Sequence, residues 1–485
     1  MDLGSDSIFS YSILRSDRQL ICNGCRLEMK SYSVFVSTNT EYSFREEENF
    51  ACLIIGVSIC LCEDMSAMDW IWKHGKTIES IINAEKYLGG KYVLFVRIKD
   101  HYYAMGDATG SVPVFYAYDG DAIACASLAF QLADTLHFVA DKNLLKIRQH
   151  GDTSQTMPYD YTIWKEIKRL LPNHYLDINT GRAVRFLNHH SLQEELTAED
   201  VAEKTIPYMK RLASFYKNKF SVASALTSGR DSRAVSAVMG CEPEIPVYTM
   251  KHAEFTEDTP DIVIPRKIAE RVNLNYHQIT DVSLTENEIS YADSILGKDN
   301  YNKRTLMLAH TIKHYWGEYA VINGDVIGQV GKCSLHRDIP CRFATPSYFL
   351  CKLHNYSKEA KLALGRWLQE VQESDEYVNI FDLFSIENRL GVWAANENEI
   401  YNLIGQNYLN VFNSRSIIYE WTRVSRKERK NSAIHLAVIR ALKPELLEIP
   451  FEPSAFVEKI SKYNGYTYLF ASYFKHYIEK IRSRL

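Results

Sequence analysis

The stretch that most constrains the fold is 220–239, FSVASALTSGRDSRAVSAVM, where an apolar run precedes a polar loop and then apolar residues at helical spacing. The loop residues are Thr227, Ser228, Gly229, Arg230, Asp231 and Ser232. A small-residue loop between a buried strand and a helix leaves backbone N–H groups unpaired at the positive end of the helix dipole. We therefore predict an anion site, most often a phosphate site. The loop alone also fits an ordinary strand-to-helix turn with Asp231 or Ser232 as the helix N-cap.

Downstream of this stretch, strand patterns and helix patterns alternate. Apolar runs predict strands at 245–250 and 275–279, with a helix from Asp261 between them. A further strand is predicted to end in the glycine-rich turn of 320–331, AVINGDVIGQVG. Alternation of this kind is typical of a parallel sheet, in which a nucleotide lies across the carboxyl ends of the strands. The last third of the chain is predicted to be helical.

The first 135 residues are rich in strand patterns instead. The predicted strands are 8–14, 31–37, 51–61, 92–98, 102–105, 112–118 and 122–126, and a helix is predicted at 77–88. Residues 136–195 are interpreted as a hinge region with a helical turn and a two-stranded ribbon that turns at 179–181. An amphipathic helix follows at 191–217, with Thr197 as its expected start.

Length and composition indicate a globular protein of two or three domains. The chain has 485 residues, of which 46% are hydrophobic, and its aromatic content of 12% argues against long disordered segments. A formal net charge of −4 gives no sign of a nucleic-acid-binding surface. No apolar run is long enough to span a bilayer, and the start, MDLGSDSIFS, lacks the order of a secretory signal, so we expect a cytoplasmic protein.

The 10 cysteines are scattered along the chain. Cys22 and Cys25 form a C-x-x-C pair, and Cys60 and Cys62 form a C-x-C pair. A zinc or redox site would need a second pair at the proper spacing or a histidine cluster, and the sequence has neither. Buried thiols in a reducing cytoplasm are therefore the favoured interpretation.

The loop sequence TSGRDSR resembles the pyrophosphate-binding loop of the asparagine-synthetase-like ATP pyrophosphatases, whose pattern is S-G-G-x-D-S. Thr227 stands for the first serine and Ser228 for the first glycine, while Gly229, Asp231 and Ser232 match outright. Threonine keeps the hydroxyl of serine. Serine in place of glycine adds a side chain where the backbone must approach phosphate closely, which requires a compatible φ.

Residues 89–135 resemble the N-terminal, glutaminase-type domain of class B asparagine synthetases. The family's G-D-F-A-x-V-I strand, D-x-x-G-x-x-P-L-Y-Y turn and A-S-E strand end have counterparts at 90–92, 107–116 and 126–127. The family's nucleophile is a cysteine exposed by removal of the initial methionine, whose own α-amine is the base, whereas this chain has Asp2. We therefore expect a domain that does not hydrolyse glutamine and that serves as a structural partner.

The glycine-rich turn lies where the family has S-G-E-G-S-D-E, whose carboxylates hold Mg²⁺ and orient the phosphates. Asn323 and Gly324 stand for S-G and Asp325 for the first glutamate, and the other acidic positions are not acidic here. Mg²⁺ can be held by one or two carboxylates together with phosphate, so Asp231 and Asp325 would suffice. The alternative for Asp325 is a turn-forming aspartate after glycine.

The resemblance implies roles for the remaining residues of the site. Ser228, Gly229 and Ser232 would cradle pyrophosphate through backbone and hydroxyl donors. Arg230 or Arg233 would add positive charge at the leaving group, beside Asp231. The other contacts implied for ATP are Leu226, Thr227 and Gly324, with Val247, Tyr248 and Thr249 beside the adenine.

The segment from residue 381 onward resembles the family's C-terminal helical subdomain. After it, class B asparagine synthetases have a lysine thought to steady the charge that develops on the phosphoryl-linked intermediate, and none is found at 448–454. Lys427, Arg429 or Lys430 would have to reach the site instead, although most such residues are solvated helix charges.

Over the whole chain the resemblance implies two domains in a fold that combines α/β and α+β classes. Residues 1–195 would form an Ntn-hydrolase-like glutaminase-type domain with αββα layers and a linker. Residues 196–485 would form a parallel-sheet synthetase domain of the adenine-nucleotide α-hydrolase-like (HUP) type with C-terminal helices.

Three functions remain open on these grounds. The first is an amide-forming ligase that uses ATP and Mg²⁺ to adenylate a small-molecule or peptide carboxylate for attack by ammonia or an amine, supplied from elsewhere, for example by another protein. The absent cysteine favours a specialised amidation or cyclisation over housekeeping asparagine synthesis. The second is a nucleotide-binding partner protein without catalytic activity. It is favoured by the small number of acidic residues in the glycine-rich turn and by the missing lysine. The third, a sulfur-inserting or RNA-modifying relative, lacks the basic patch with interleaved aromatic residues that it would need. The sequence also leaves open whether the protein forms a homodimer.

Overall fold

The computed structural model describes residues 9–16, 24–149, 157–186, 196–298, 300–332, 343–353, 357–373, 379–451, 470, 474 and 477–478. The expectations for Asp2, for Cys22 and for the helical start at 191–195 lie outside these ranges. Within them, no helix combines the length and the apolar character that a bilayer crossing requires.

Residues 11–185 contribute two antiparallel sheets of six strands each. Their strands are β1 Tyr11–Arg15, β2 Gly24–Met29, β3 Tyr32–Ser37, β4 Tyr42–Glu47, β5 Phe50–Cys60, β6 Leu88–Ile98, β7 His101–Gly106, β8 Phe115–Asp119, β9 Ala122–Ala126, β10 Lys168–Arg169, β11 His174–Asp177 and β12 Arg182–Arg185. The first sheet has the order β10-β8-β9-β1-β3-β2 and the second β12-β11-β7-β6-β5-β4. The predicted ribbon is confirmed, and its turn uses Gly181 at a φ of 69°, a conformation that favours glycine.

The helices follow in chain order and cover most of the rest of the described chain. They are α1 Ala67–His74, α2 Ile78–Glu85, α3 Ala129–Thr135, α4 Lys142–Gln149, α5 Ala198–Lys219, α6 Arg230–Met239, α7 Pro260–Val272, α8 Glu286–Leu296, α9 Lys303–Trp316, α10 Pro346–Leu353, α11 Lys358–Glu373, α12 Ile380–Phe384, α13 Ala395–Leu403, α14 Arg415–Thr422, α15 Arg426–Lys430 and α16 Ala433–Leu442. Ile327–Gly331 and Ser385–Ala394 are π-helical, and Pro444–Leu447 is a 3₁₀ turn. The predicted start of α5 is confirmed, with Thr197 as its N-cap.

The two antiparallel sheets pack face to face, with helices on their outer faces. Alternate residues of β1, β3, β6 and β7, such as Ile13, Val34 and Phe95, fill the space between the sheets. Trp70 of α1 covers the outer face of the second sheet, where it meets the other side of β5 and β6. Leu132 of α3 packs on the outer face of the first sheet. These layers arise because strand side chains alternate between faces and both faces are apolar.

Residues 222–410 contribute a five-stranded parallel sheet, which confirms a mixed α/β architecture. Its strands are β13 Val222–Ala225, β14 Pro246–Lys251, β15 Asn275–Thr280, β16 Ala320–Asn323 and β17 Tyr408–Asn410, in the order β15-β14-β13-β16-β17. The apolar runs predicted as the first four of these strands are confirmed. The edge strand β17, in a segment predicted to be helical, was missed; it pairs Leu409 with Ile322.

Candidate functional site

In the parallel sheet the strand order reverses between the neighbouring strands β13 and β16. β14 and β15 lie on one side of β13, whereas β16 and β17 lie on the other. A cavity of about 430 Å³ opens at the carboxyl ends of β13 and β16. Ligands of open α/β sheets bind at such a switch point, so the topology itself marks this cavity as the candidate site. Its polar lining includes Thr227, Asp231, Ser232, Asn323, Asp325 and Lys332.

The loop after β13 is folded by its own side chains. The backbone N–H of Thr227 donates to Ser232 Oγ at 3.0 Å, and the N–H of Gly229 donates to Thr227 Oγ1 at 3.2 Å. The helix α6 begins at Arg230 with Gly229 as its N-cap and without a capping side chain. The alternative of Asp231 or Ser232 as N-cap is therefore wrong. Because no side chain caps α6, donors of its first turn remain for an anion.

Ser228 is already bound to a carboxylate of the protein. Its backbone N–H and its hydroxyl both donate to Asp261 Oδ1, at 2.8 and 2.7 Å, and Ser228 is buried. Asp261 belongs to the first turn of α7. A phosphate at Ser228 would have to displace this carboxylate, whereas Thr227 and Ser232 face the cavity directly.

Asp231 is held by a buried histidine. Oδ1 of Asp231 accepts a hydrogen bond from Nε2 of His435 at 2.7 Å, and His435 is fully buried while the Asp231 side chain is 42% exposed. Burial raises the pKa of Asp231, but the hydrogen bond from His435 and the charges of Lys332 and Arg230 outweigh it, so the pKa lies below its ordinary value. The Asp231 carboxylate is thus held ionised at the cavity wall.

The glycine-rich turn after β16 makes room for Asp231. A methyl group on Gly328 would lie 2.8 Å from Asp231 Oδ2, and one on Gly324 would lie 3.3 Å from Asp231 Cβ. The two loops therefore meet at Asp231, and Gly324, predicted as a nucleotide contact, lines the same cavity. Gly328 is needed because a side chain there would displace the carboxylate.

Asp325 lines the same cavity as Asp231. Tyr408 donates its hydroxyl to Asp325 Oδ2 at 3.2 Å. Burial, together with the negative charge of Asp231, raises the pKa of Asp325 to about 6, against the opposing effects of Tyr408 and Arg389. Glu397 of α13 has a raised pKa because of burial and the charge of Asp325. The negative charge of Asp231 thus raises the pKa of Asp325, and that of Asp325 raises the pKa of Glu397. A bound cation would stabilise the ionised forms of these carboxylates.

These residues fit a magnesium ion that a nucleotide helps to hold. Carboxylate oxygens are the ligands that Mg²⁺ prefers, and Asp231 and Asp325 supply them to one cavity. Among the described residues, no group of three or more His, Cys, Asp or Glu side chains is arranged to hold a metal.

The two arginines predicted to act on the leaving group, Arg230 and Arg233, have different surroundings. Arg233 is buried, and its guanidinium donates to the carbonyl oxygens of Leu446, Ile449, Pro450 and Ser228. Arg230 lies over the ring of Phe451 and acts on Asp231 through its charge. Neither arginine lines the cavity as far as it is described, whereas Lys332, directly after the glycine-rich turn, does.

The expected substitutes for the missing lysine are not at the cavity. Arg429 is buried and forms a two-point ion pair with Asp382, at 2.8 and 2.7 Å. Lys427 is exposed, and neither it nor Lys430 is among the described lining residues. Lys332 is the lysine that contributes to this lining.

One wall of the cavity is aromatic. Tyr401 and Tyr408 stack with their ring centroids 4.2 Å apart, and Trp393 of the π-helical segment and Tyr248 of β14 also line the cavity. The backbone of Leu226 is engaged by its neighbours: its N–H donates to the Tyr248 carbonyl at 2.7 Å, and its carbonyl accepts from Thr249 Oγ1 at 2.6 Å. Of the residues predicted beside the adenine, only Tyr248 is among the described lining residues, while Val247 and Thr249 are buried.

Three residues at the site were not predicted from the sequence. His435 was interpreted only as part of a C-terminal helix, and nothing in its local sequence links it to Asp231. Tyr408 precedes an apolar stretch and gives no signal of its own. Lys332 could have been found, since it directly follows the glycine-rich turn that was already singled out.

Known proteins give few clues to this site. No protein-family model matches the chain, and no curated protein matches it. Solved structures that overlap with it include the allosteric regulatory enzyme of purine biosynthesis, at 9% identity and a TM-score of 0.25 over 58% of this chain and 63% of that one. The overlap thus spans less than two thirds of that enzyme.

Two further solved structures overlap with the chain. Glutamine phosphoribosylpyrophosphate amidotransferase from B. subtilis, complexed with ADP and GMP, has 10% identity and a TM-score of 0.24 over 66% of this chain and 76% of that one. NMN synthetase from Francisella tularensis has 14% identity and a TM-score of 0.19 over 36% and 71%. These scores do not establish a shared fold.

Proposed function

We propose that this protein is an ATP-dependent, AMP- and pyrophosphate-forming amide ligase of the asparagine-synthetase type. It adenylates a carboxylate, and ammonia or an amine then attacks the adenylate. The observation that carries the proposal is the meeting of two loops in one cavity, with Asp231, Asp325 and Lys332 in its walls. The resemblance of the TSGRDSR loop to a pyrophosphate-binding loop supports the choice of nucleotide.

The proposed reaction assigns work to each group. A substrate carboxylate oxygen attacks the α-phosphorus of ATP, and pyrophosphate leaves towards the uncapped first turn of α6. Lys332 offsets the charge of the departing pyrophosphate, as a preorganised cation does in phosphoryl chemistry. Bound Mg²⁺ would neutralise phosphate charge and would be held by Asp231 and Asp325. The stacked tyrosines and Trp393 offer a flat apolar face for the adenine.

The test measures AMP and pyrophosphate in reactions with ATP, Mg²⁺ and panels of carboxylates and amines. We expect equal amounts of both products, dependent on a carboxylate, and a loss of roughly 100-fold or more in Asp231→Asn, the scale on which removed electrostatic groups act. The matched control is Asp258→Asn, an exposed aspartate before α7, which keeps full activity. Formation of ADP and phosphate, or no turnover with any pair, contradicts the ligase.

A second candidate is a nucleotide-binding protein without turnover. The contact of Asp261 with Ser228 favours it, because a carboxylate takes both donors that the ligase would use for pyrophosphate. This candidate predicts ATP binding by calorimetry without pyrophosphate release. In this candidate, Asp261→Asn raises ATP affinity because it removes the competing charge, but it creates no turnover. In the ligase, by contrast, the wild-type protein both binds ATP and turns it over.

A further inference from the structure

A second cavity lies apart from the candidate site, between α4, α11 and the turn at 160–168. Its volume is about 310 Å³, within the range of roughly 300–1,000 Å³ that is usual for small-molecule sites. It shares no described lining residue with the candidate site. Leu144, Trp164 and Ile167 are buried apolar residues of its lining, whereas Leu362 of α11 is 58% exposed. Apolar surface at this cavity is therefore accessible to a ligand.

The turn that carries Trp164 is held in place by its own hydrogen bonds. Thr162 Oγ1 accepts from the N–H of Trp164 at 3.1 Å and donates to the carbonyl oxygen of Ile167 at 2.9 Å. The N–H of Asp141, directly before α4, donates to the Ile163 carbonyl at 2.8 Å, which ties the helix to the turn. This wall is therefore formed before a ligand arrives, which lowers the entropic cost of binding.

Asp160 is a buried carboxylate of this lining whose charge is poorly balanced. Its Oδ2 pairs with Lys168 Nζ at 3.3 Å, but the Lys168 side chain is 51% exposed, so water weakens the pair. Oδ1 is buried and has no hydrogen-bond partner among the described residues. Burial raises the pKa of Asp160, against the opposing charges of Lys168 and Arg366. A further cation at this carboxylate would stabilise its ionised form.

Arg366 of α11 is an exposed cation of the same lining. Its guanidinium donates to the Tyr161 hydroxyl and lies over the Tyr161 ring, 5.0 Å from the centroid. Among the described residues, no carboxylate lies within ion-pair distance of this guanidinium, and Asp160 interacts with it only from further away. A guanidinium has five N–H donors and can bind a carboxylate at two points, so Arg366 keeps donors for a ligand carboxylate.

The charged side chains of this lining balance one another. Three are acidic and three are basic, namely Asp141, Asp160 and Glu359 against Lys165, Lys168 and Arg366. A ligand with a net charge would leave one sign unmatched, whereas a zwitterion can place its ammonium group at Asp160 and its carboxylate at Arg366. The apolar surface of Leu144 and Trp164 suits an apolar side chain, which gains free energy when it leaves water.

We propose that this cavity binds an amino acid with an apolar side chain. The ammonium group of the ligand contacts Asp160, its carboxylate contacts Arg366, and its side chain packs against Trp164. Because the cavity is separate from the candidate site, the bound amino acid is not the molecule that is adenylated there. The inference goes beyond the proposed function and does not depend on it, since binding here needs neither ATP nor turnover.

Isothermal titration calorimetry on the full chain tests this inference with L-phenylalanine and L-leucine as probes. The tighter-binding probe is compared with an analogue that lacks the carboxylate, phenethylamine or 3-methylbutylamine. It is also compared with an analogue that lacks the ammonium group, 3-phenylpropionate or 4-methylpentanoate. We expect each analogue to bind at least about tenfold more weakly than the amino acid, the scale of a lost hydrogen bond to a charged group.

Substitutions then assign each charged group of the ligand to its residue. Arg366→Met should weaken binding of the amino acid at least about tenfold without weakening binding of the amine analogue, which has no carboxylate to lose. Asp160→Asn should weaken binding of the amino acid and of the amine analogue, but not of the carboxylate analogue. Lys361→Met, an exposed lysine of α11 outside the described lining, is the control.

The inference is overturned if neither amino acid binds, or if an analogue with one charged group binds as tightly as the amino acid. Weaker binding of the amine analogue in Arg366→Met also overturns it, because a merely structural role of the arginine predicts that result. Unchanged binding of the amino acid in Arg366→Met places its carboxylate elsewhere and contradicts the assignment. Arg366 is exposed, so this variant decides the matter even where Asp160→Asn does not fold.

Discussion

The Asp231 carboxylate lies between His435, which donates to Oδ1, and Gly328, which is close to Oδ2. Adding a single methyl group beside it should therefore affect activity. Gly328→Ala places a methyl group 2.8 Å from Asp231 Oδ2, so the carboxylate must move. We expect pyrophosphate release to fall by about 100-fold, because displaced groups lose their alignment. The control is Gly365→Ala in α11, where a methyl group meets open space and where alanine stabilises the helix by roughly 0.5–1 kcal/mol. Equal activity in the two variants contradicts the placement of Asp231.

His435 orients Asp231 and does not itself line the cavity. His435→Leu removes the donor at 2.7 Å, and we expect Mg²⁺ affinity and turnover to fall about 10- to 100-fold, as for other residues that support metal ligands. His435→Gln keeps an N–H donor and should recover part of the activity. The measurement is turnover as a function of Mg²⁺ concentration. Identical behaviour of the leucine and glutamine variants shows that the hydrogen bond to Asp231 has no role.

At the scale of elements, the short helix α15 is joined to α12 by a buried ion pair. Arg429 and Asp382 are each 1% exposed, and Arg429 also donates to the Val330 carbonyl, in the turn that carries Lys332. Arg429→Met leaves the Asp382 charge uncompensated, so we expect a loss of about 3–5 kcal/mol in unfolding free energy by urea denaturation. Met in place of exposed Lys427 should change stability by less than about 0.5 kcal/mol. A small loss in Arg429→Met contradicts a structural role for the pair.

Sequence patterns predicted some elements well and others not at all. The strand, loop and helix at 220–239 carry their own signals, namely an apolar run, small polar residues and helical spacing, and the structure has them in place. The strand predicted at 112–118 begins three residues later and ends one residue later, at Phe115–Asp119. Strands β2 and β4 were missed because they are polar edge strands. Edge strands pair on one side only, so apolar alternation does not mark them.

The candidate site was predictable to the extent that it is local in sequence. Asp231, Gly324 and Asp325 follow strand patterns directly and all line the cavity. His435 lies 204 residues from its partner Asp231, and no periodicity encodes such a contact. Arg233 was predicted at the leaving group because it is close to Asp231 in sequence. Its guanidinium instead donates to carbonyl oxygens at 446–450, a contact between distant segments that local sequence does not encode.

At the scale of the whole molecule, the antiparallel and parallel sheets are joined by buried polar contacts. Arg415 pairs with Glu85, Lys91 with Asn402, and Asn413 donates to the Gly90 carbonyl at 2.7 Å. Buried polar groups must keep their partners, so neither part can separate without a large cost. The two parts should therefore unfold in one transition.

His174, near this junction, makes stability depend on pH. Burial and the charge of Arg185 lower its pKa from 6.5 to about 4. Between these values the unfolded state binds a proton that the folded state does not, so stability is lost as pH falls through this range. We expect His174→Gln to remove about 2 kcal/mol of the loss in unfolding free energy between pH 7 and pH 5, measured by urea denaturation. An unchanged slope contradicts a buried neutral His174.

The proposed function requires that the cavity between β13 and β16 cleave ATP at its α-phosphorus. The most direct test is chromatography of the nucleotide products formed with Mg²⁺ and the carboxylate panel, for the wild-type protein, Asp231→Asn and Lys332→Met. We expect AMP and pyrophosphate in equal amounts from the wild-type protein and a loss of both products in each variant. ADP as the product, or AMP formation that neither substitution affects, would contradict it.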